Sequence, residues 1–187
     1  MRVFIVRHGE SENNLNKLWT GWMDAPLTQK GIEDAKKASE YLKNITFDKI
    51  YSSDLERAQN TAKTALPNCI YETDKRIREV NIGSIAGTPI ASLSLEQKDN
   101  ISRIGYKEFG GESKEEFEER VLLFMKEIEQ TNYENIAIFS HGGWIRKFLE
   151  FVVKVHVPAK HLCTNNCVIS IFEYDGIWKL HSWINMI

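Results

Sequence analysis

A chain of 187 residues with no Pro/Gly-rich linker is long enough for a substantial core, so residues 1–187 read as a single domain. Hydrophobic residues make up 42% and the net charge is only −2, which argues against disorder and against the broad basic surface that nucleic acid would need. No apolar stretch approaches bilayer length and the first strand begins at residue 2, leaving no room for a signal peptide; a soluble, cytoplasmic protein without a membrane partner is expected.

The first predicted element is a strand, Val3-Phe4-Ile5-Val6, an apolar, β-branched run that ends in Arg7-His8-Gly9-Glu10. An irregular stretch from Ser11 to Leu27 follows, rich in Asn and carrying Trp19 and Trp22, and connections of that length are more often functional than idle. Thr28 then caps a helix whose apolar residues Ile32, Ala35, Ala38 and Leu42 recur at helical spacing. A second strand is expected at Lys49 to Tyr51, and Ser53 with Glu56 reads as a capping box opening a helix at Asp54, with Arg57 in its first turn. Ile70 to Tyr71 is a candidate short strand. From Arg76 to Gly111 the chain makes an excursion, with a short helix after Ser94, that is placed to cover a site.

Ser113 with Glu116 repeats the capping box, and Phe117, Val121, Phe124, Met125 and Ile128 mark one face of a long helix. The next strand, Ile136-Ala137-Ile138-Phe139, ends in Ser140-His141-Gly142-Gly143, and a helix runs from Trp144 to Val153. Val168 to Tyr174 and Ile177 to Ile184 flank Asp175-Gly176, the signal of a two-residue type I′ hairpin. Strands alternating with helices and a closing antiparallel hairpin predict an α/β fold, a three-layer α/β/α sandwich with a mixed, mostly parallel central sheet. Cys69, Cys163 and Cys167 lack the spacing of a zinc site or disulfide framework and read as small core hydrophobes.

One device occurs twice: an apolar strand ending in His-Gly, at His8 and again at His141. In open α/β sheets ligands bind outside the carboxyl ends of the strands, so two imidazoles arriving there point to one shared site. Arg7 is adjacent to the first, and the capped helix brings Arg57 to the same rim. A strongly cationic pocket with backbone N–H groups nearby suits a tetrahedral phosphate, which guanidinium forks grip bidentately.

Arg7-His8-Gly9-Glu10-Ser11 with Asn14, Ser53-Asp54-Leu55 with Arg57-Ala58 and Thr61-Ala62, Arg78-Glu79 with Gly83 and Gly87, Gly111-Glu112-Ser113 with Arg120, and Ser140-His141-Gly142-Gly143 fall in one order along the chain. Together they resemble the histidine phosphatase superfamily, in its phosphoglycerate-mutase-like branch. That resemblance implies His8 as a nucleophile that becomes a phosphohistidine, and Arg7, Arg57 and His141 as ligands of the transferring phosphoryl. It further implies Asn14 as a neutral donor, Glu79 as the acid and then the base, and Thr20, Gly21 and Gly142 as substrate or phosphate contacts. Arg7 and Arg57 should keep His8 neutral, and Gly9 should permit a turn whose carbonyl holds the other ring N–H.

Two departures bear on activity. Ile85-Ala86-Gly87 stands where phosphatases of the branch often carry Trp-Glu-Gly, and the stretch before Gly111-Glu112-Ser113 is too short for the basic insertion of the mutases, although Thr20-Gly21-Trp22 resembles their substrate loop. The expected function is a metal-independent phosphatase of a small phosphorylated metabolite, with no cofactor, acting as a monomer or homodimer. The alternatives are a phosphoglycerate mutase and, lower, an inactive phospho-ligand or protein-binding module. Lys98, Arg103, Tyr106 and Lys107 lie in the segment from which leaving-group recognition would come.

Overall fold

The computed structural model describes residues 1–185. Six strands form one sheet in the order β3-β2-β4-β1-β5-β6. β1 (Arg2–Arg7), β2 (Lys49–Ser52), β3 (Glu72–Thr73) and β4 (Asn135–Ser140) are parallel, while β5 (Ile169–Tyr174) and β6 (Trp178–Ile184) close the sheet as an antiparallel hairpin. The fold is the expected α/β sandwich.

Alternation along the strands builds its two hydrophobic layers, because successive side chains leave opposite faces of the sheet. Val3, Ile5, Ile136 and Ile138 face α5 (Lys114–Glu129) and α6 (Gly142–Val153), meeting Phe117, Phe124, Trp144 and Phe148. Phe4, Val6, Ala137 and Phe139 face the other way and meet Ala38 and Leu42 of α2 (Gln29–Leu42) and Ala62 and Ala65 of α3 (Glu56–Ala65). The small residues on α2 and α3 let both helices lie close to the sheet.

β1 and β4 are neighbours, yet the chain leaves them in opposite directions. From β1 it crosses the α2 face towards β2; from β4 it crosses the α6 face towards β5. Such a reversal opens a crevice beyond the carboxyl ends of the two strands. His8 follows β1 and His141 follows β4, so both stand at this crevice.

Several local expectations are corrected. Ser11 to Leu27 is not wholly irregular: Ser11 caps a single turn, α1 (Glu12–Leu15), in a capping box with Asn14. The short third strand is Glu72–Thr73 and not Ile70–Tyr71, and Ile70 is exposed. The final turn has three residues, since Tyr174 pairs with Trp178, and only Gly176 has positive φ, so it is not type I′. Of the cysteines only Cys167 is core; Cys69 is half-buried and Cys163 exposed. The excursion holds α4 (Leu95–Ile104), capped by Ser94, and a small cluster of its own built on Ile82, Ile85 and Leu93. Among the described residues no helix is long and apolar enough to cross a membrane.

Candidate active site

A cavity of about 320 Å³ lies at the crevice, lined among others by Arg7, His8, Asn14, Thr20, Gly21, Arg57, Glu79 and Gly142. His8 is held by the ladder itself, its N–H donating to Ser140 O at 2.9 Å. Its Nδ1 lies 2.7 Å from Gly9 O, so Nδ1 carries the proton and Nε2 is left with its lone pair. Gly9 serves this geometry through close approach and not through an unusual turn: a Cβ there would stand 2.5 Å from the carbonyl oxygen of Gly31 on α2. His8 and His141 stack obliquely, with ring centroids 5.1 Å apart.

Arg7 and Arg57 are fixed through their terminal nitrogens. An Nη of Arg7 donates to Thr164 O, while Arg57 donates to Met23 O at 2.8 Å and to Gly21 O at 2.7 Å. The Nε of each remains buried without a protein partner, and so does Nδ1 of His141. Unsatisfied buried polar atoms are costly; Arg7 and Arg57 line the cavity and the His141 ring lies beside His8, so the three together describe a cradle for an anion.

Burial, then the charges of Arg57 and Arg7, hold His8 well below the usual imidazole range. His141 is depressed too, by burial first and then by Arg57, His8 and Arg7. Both rings are therefore neutral at neutral pH. Burial lowers Arg57 to about 10, which leaves it cationic.

Ser53 is not the helix cap that its spacing indicates. α3 begins at Glu56 after Leu55, with no side-chain cap; Ser53 Oγ instead accepts from Leu55 N–H at 3.3 Å and lies 2.9 Å from His141 Nε2. A hydroxyl that donates to Nε2 puts the ring proton of neutral His141 on Nδ1, the atom that lacks a partner, whereas the other tautomer has Nε2–H donating to Ser53 Oγ. The Ser-x-x-Glu pattern masked this role, because the competing partner is 88 residues away.

Glu79 also lines the cavity. Its carboxylate accepts from Val80 N–H at 2.9 Å and Gly143 N–H at 3.0 Å, so it is held and not simply solvated. A Cβ at Gly143 would stand 2.2 Å from its Oε1, so a side chain there would displace the carboxylate. Arg120 clamps the backbone behind it, donating to the carbonyls of Arg76, Arg78 and Glu79 while pairing with Glu112 at 2.6 Å. Trp22 adds an indole N–H to Glu79 O at 2.7 Å, and the Arg78 guanidinium covers the Trp22 ring. Trp19 walls the cavity and joins the excursion's cluster.

Asn14 turns its amide oxygen towards Ser11 N–H and Asn166 Nδ2, which leaves its own nitrogen as the end available to the cavity. Of the four residues in the excursion, only Tyr106 lines this cavity. Lys98 borders a neighbouring one, Arg103 pairs with Asp99, and Lys107 pairs with Glu116, because their helical or turn positions aim them outward. Arg146, four residues after Gly142 on α6, lines the cavity without having been singled out; its position one turn past the glycines was the available signal.

The sequence profile of the histidine phosphatase superfamily (branch 1) matches residues 3–185. The chain belongs to that superfamily. It is 31% identical over 185 residues to a broad-specificity phosphatase of Saccharomyces cerevisiae, covering 93% of this chain and 80% of the relative. The α-ribazole phosphatase of Shigella flexneri superposes with a TM-score of 0.86 at 27% identity, covering 100% of this chain and 97% of that one. The phosphoglycerate mutase of Thermus thermophilus superposes with a TM-score of 0.78 at 25% identity, covering 99% of each. This member of the superfamily is an enzyme, a phosphoric monoester hydrolase.

Proposed function

We propose that this histidine phosphatase hydrolyses a small-molecule phosphomonoester through a phosphohistidine on His8 Nε2. The observation that carries the reading is the neutral His8 ring, tied at Nδ1 to Gly9 O, beside three buried donors that lack partners. Glu79 enters the step as the neutral acid, its proton held by the phosphate dianion bound beside it; Nε2 attacks phosphorus as the bond to the alcohol oxygen breaks, and Glu79 gives that proton to the departing alkoxide. A water then yields a proton to Glu79 as its oxygen bonds to phosphorus; the P–N bond breaks, and inorganic phosphate and free His8 result. Arg7 Nε, Arg57 Nε and His141 Nδ1 stabilise the charge on the phosphoryl oxygens throughout, without reorganising.

The cradle itself supplies the positive charge, so the reaction proceeds without a metal. The names of the yeast and Shigella relatives, a broad-specificity phosphatase and an α-ribazole phosphatase, support a phosphatase reading, with ribazole phosphate among the candidate substrates. The likeness to the Thermus mutase supports a second reading, in which a substrate hydroxyl replaces water as acceptor. A phosphate-release screen over a metabolite panel with EDTA present tests the proposal. It includes 3-phosphoglycerate with catalytic 2,3-bisphosphoglycerate, followed for both 2-phosphoglycerate and free phosphate. Phosphate release is expected to dominate; isomerisation that outpaces it gives the mutase reading.

A further inference from the structure

A second cavity, of about 350 Å³, adjoins the first and shares five wall residues with it: Val80, Tyr106, Gly143, Arg146 and Ala159. His8, Arg7 and Arg57 border only the first, and Ile101, Phe117 and Lys98 only the second, so Arg146 stands where the two chambers meet. Its Nε is buried without a partner, and no carboxylate pairs with it among the described residues. The nearby acids are committed elsewhere. Glu79 accepts from two backbone N–H groups, and Glu150 is taken by Lys147, His156 and the N–H of Val157. A guanidinium at such a junction is an unsatisfied charge-assisted donor, and its planar fork matches an oxyacid anion.

We infer that the second chamber receives the alcohol half of the substrate, and that Arg146 reads an anionic oxyacid group, a carboxylate or a second phosphate, on that half. The inference rests on the phosphatase reading, in which the phosphoryl fills the first chamber between Arg7, Arg57 and His141. The alcohol must then leave the cradle on the Glu79 side, and Arg146 is on the wall it meets there. The apolar faces of Ile101 and Phe117 would take the carbon skeleton, which makes Arg146 a specificity-determining residue.

The test is binding to the full-length His8→Ala protein, which separates recognition from turnover. Matched pairs are titrated: 4-carboxyphenyl phosphate against its carboxamide, 3-phosphoglycerate against glycerol 3-phosphate, and fructose 1,6-bisphosphate against fructose 6-phosphate. At least one anionic partner is expected to bind about 10- to 100-fold tighter than its mate, the range for hydrogen bonds to charged groups. In His8→Ala/Arg146→Met, and in His8→Ala/Arg146→Gln as a second variant, that ratio is expected to collapse to within about threefold. Because each ratio is taken on one preparation, a folding defect cancels. Ratios near one for every pair, or a ratio that survives both substitutions, overturn the inference. The carboxylate pairs and the bisphosphate pair tell the two anions apart. Hydrolysis of p-nitrophenyl phosphate by the unsubstituted chain judges the phosphatase reading separately.

Discussion

The two sides of the cavity are built differently. The phosphate side, with His8, Ser53, Arg57 and His141, rests on strand ends and one helix over the main core, and each of these residues is at most 4% exposed. The facing side, with Glu79, Tyr106, Trp19 and Ile82, belongs to loops around a cluster of only three buried residues and is secured by the polar clamp of Arg120. The contrast teaches a division of labour. Phosphoryl geometry is common to all esters and sits on the element that deforms least, whereas the face that meets the alcohol sits where sequence can change without disturbing the sheet.

The largest expected effect tests the rigid side. His8→Ala is expected to lose turnover to background with every leaving group, since His8 Nε2 is the atom that takes the phosphoryl in the proposed reaction. Brief incubation with labelled substrate should leave acid-labile label on the unsubstituted protein only. Stable label on His8→Ala would place the nucleophile elsewhere.

Glu79→Gln tests the other side, and its effect should depend on the leaving group. With an alkyl phosphate the rate is expected to fall about 10²–10⁴-fold, the usual worth of general acid–base assistance. With p-nitrophenyl phosphate the first step needs no proton in transit, so the burst of phenolate should persist while later turnover slows. Equal losses of both phases on both substrates would assign the proton to another group.

Two neutral buried imidazoles on the rigid side also mark its pH dependence. Their folded pKa values are depressed, by burial above all. Unfolded histidines titrate near 6.5. Above that pH neither state holds the extra protons, and the stability is fully present; as pH falls below it the unfolded chain takes up two protons that the folded chain refuses. Stability is therefore lost towards acid, at a limiting slope of about 1.4 kcal/mol per pH unit for each ring. Urea unfolding at pH 7.5, 6.0 and 5.0 checks this against His8→Gln/His141→Gln. A double variant as acid-sensitive as the parent would refute the depressed pair.

What was legible in the sequence follows the same division. The strands, the α5 face and the two His-Gly termini were readable because period and composition are local, and the sheet then brings strand ends together by topology. Less legible were contacts in which a local pattern competes with a distant one. Ser53 carries a capping signature yet serves His141, and the tight-turn reading of Gly9 missed its contact with Gly31 on α2. Lys98, Arg103 and Lys107 could not be oriented from a segment whose helix packs through a three-residue cluster. The clamp on Glu79 draws on Trp22, Arg120 and Gly143, three segments that no periodicity connects.

The smallest expected effect falls on Ser53, and it sharpens the comparison because it lies on the rigid side without touching the phosphoryl. A Ser53 hydroxyl that donates to Nε2 fixes the proton of neutral His141 on Nδ1; without it the ring is free to take the other tautomer and to present a lone pair to the phosphate oxygens. The loss of one neutral hydrogen bond is worth about 0.5–1.5 kcal/mol, so Ser53→Ala is expected to lower kcat by roughly 2- to 13-fold. The loss should be the same for alkyl and p-nitrophenyl esters, unlike that of Glu79→Gln. Nitrogen-15 spectra of the His141 ring separate this role from packing alone: Nδ1–H in the parent, with Nε2–H gaining population in Ser53→Ala. An unchanged tautomer in the variant would reduce Ser53 to a packing residue, and the cradle would then owe its third donor to the protein field around His141.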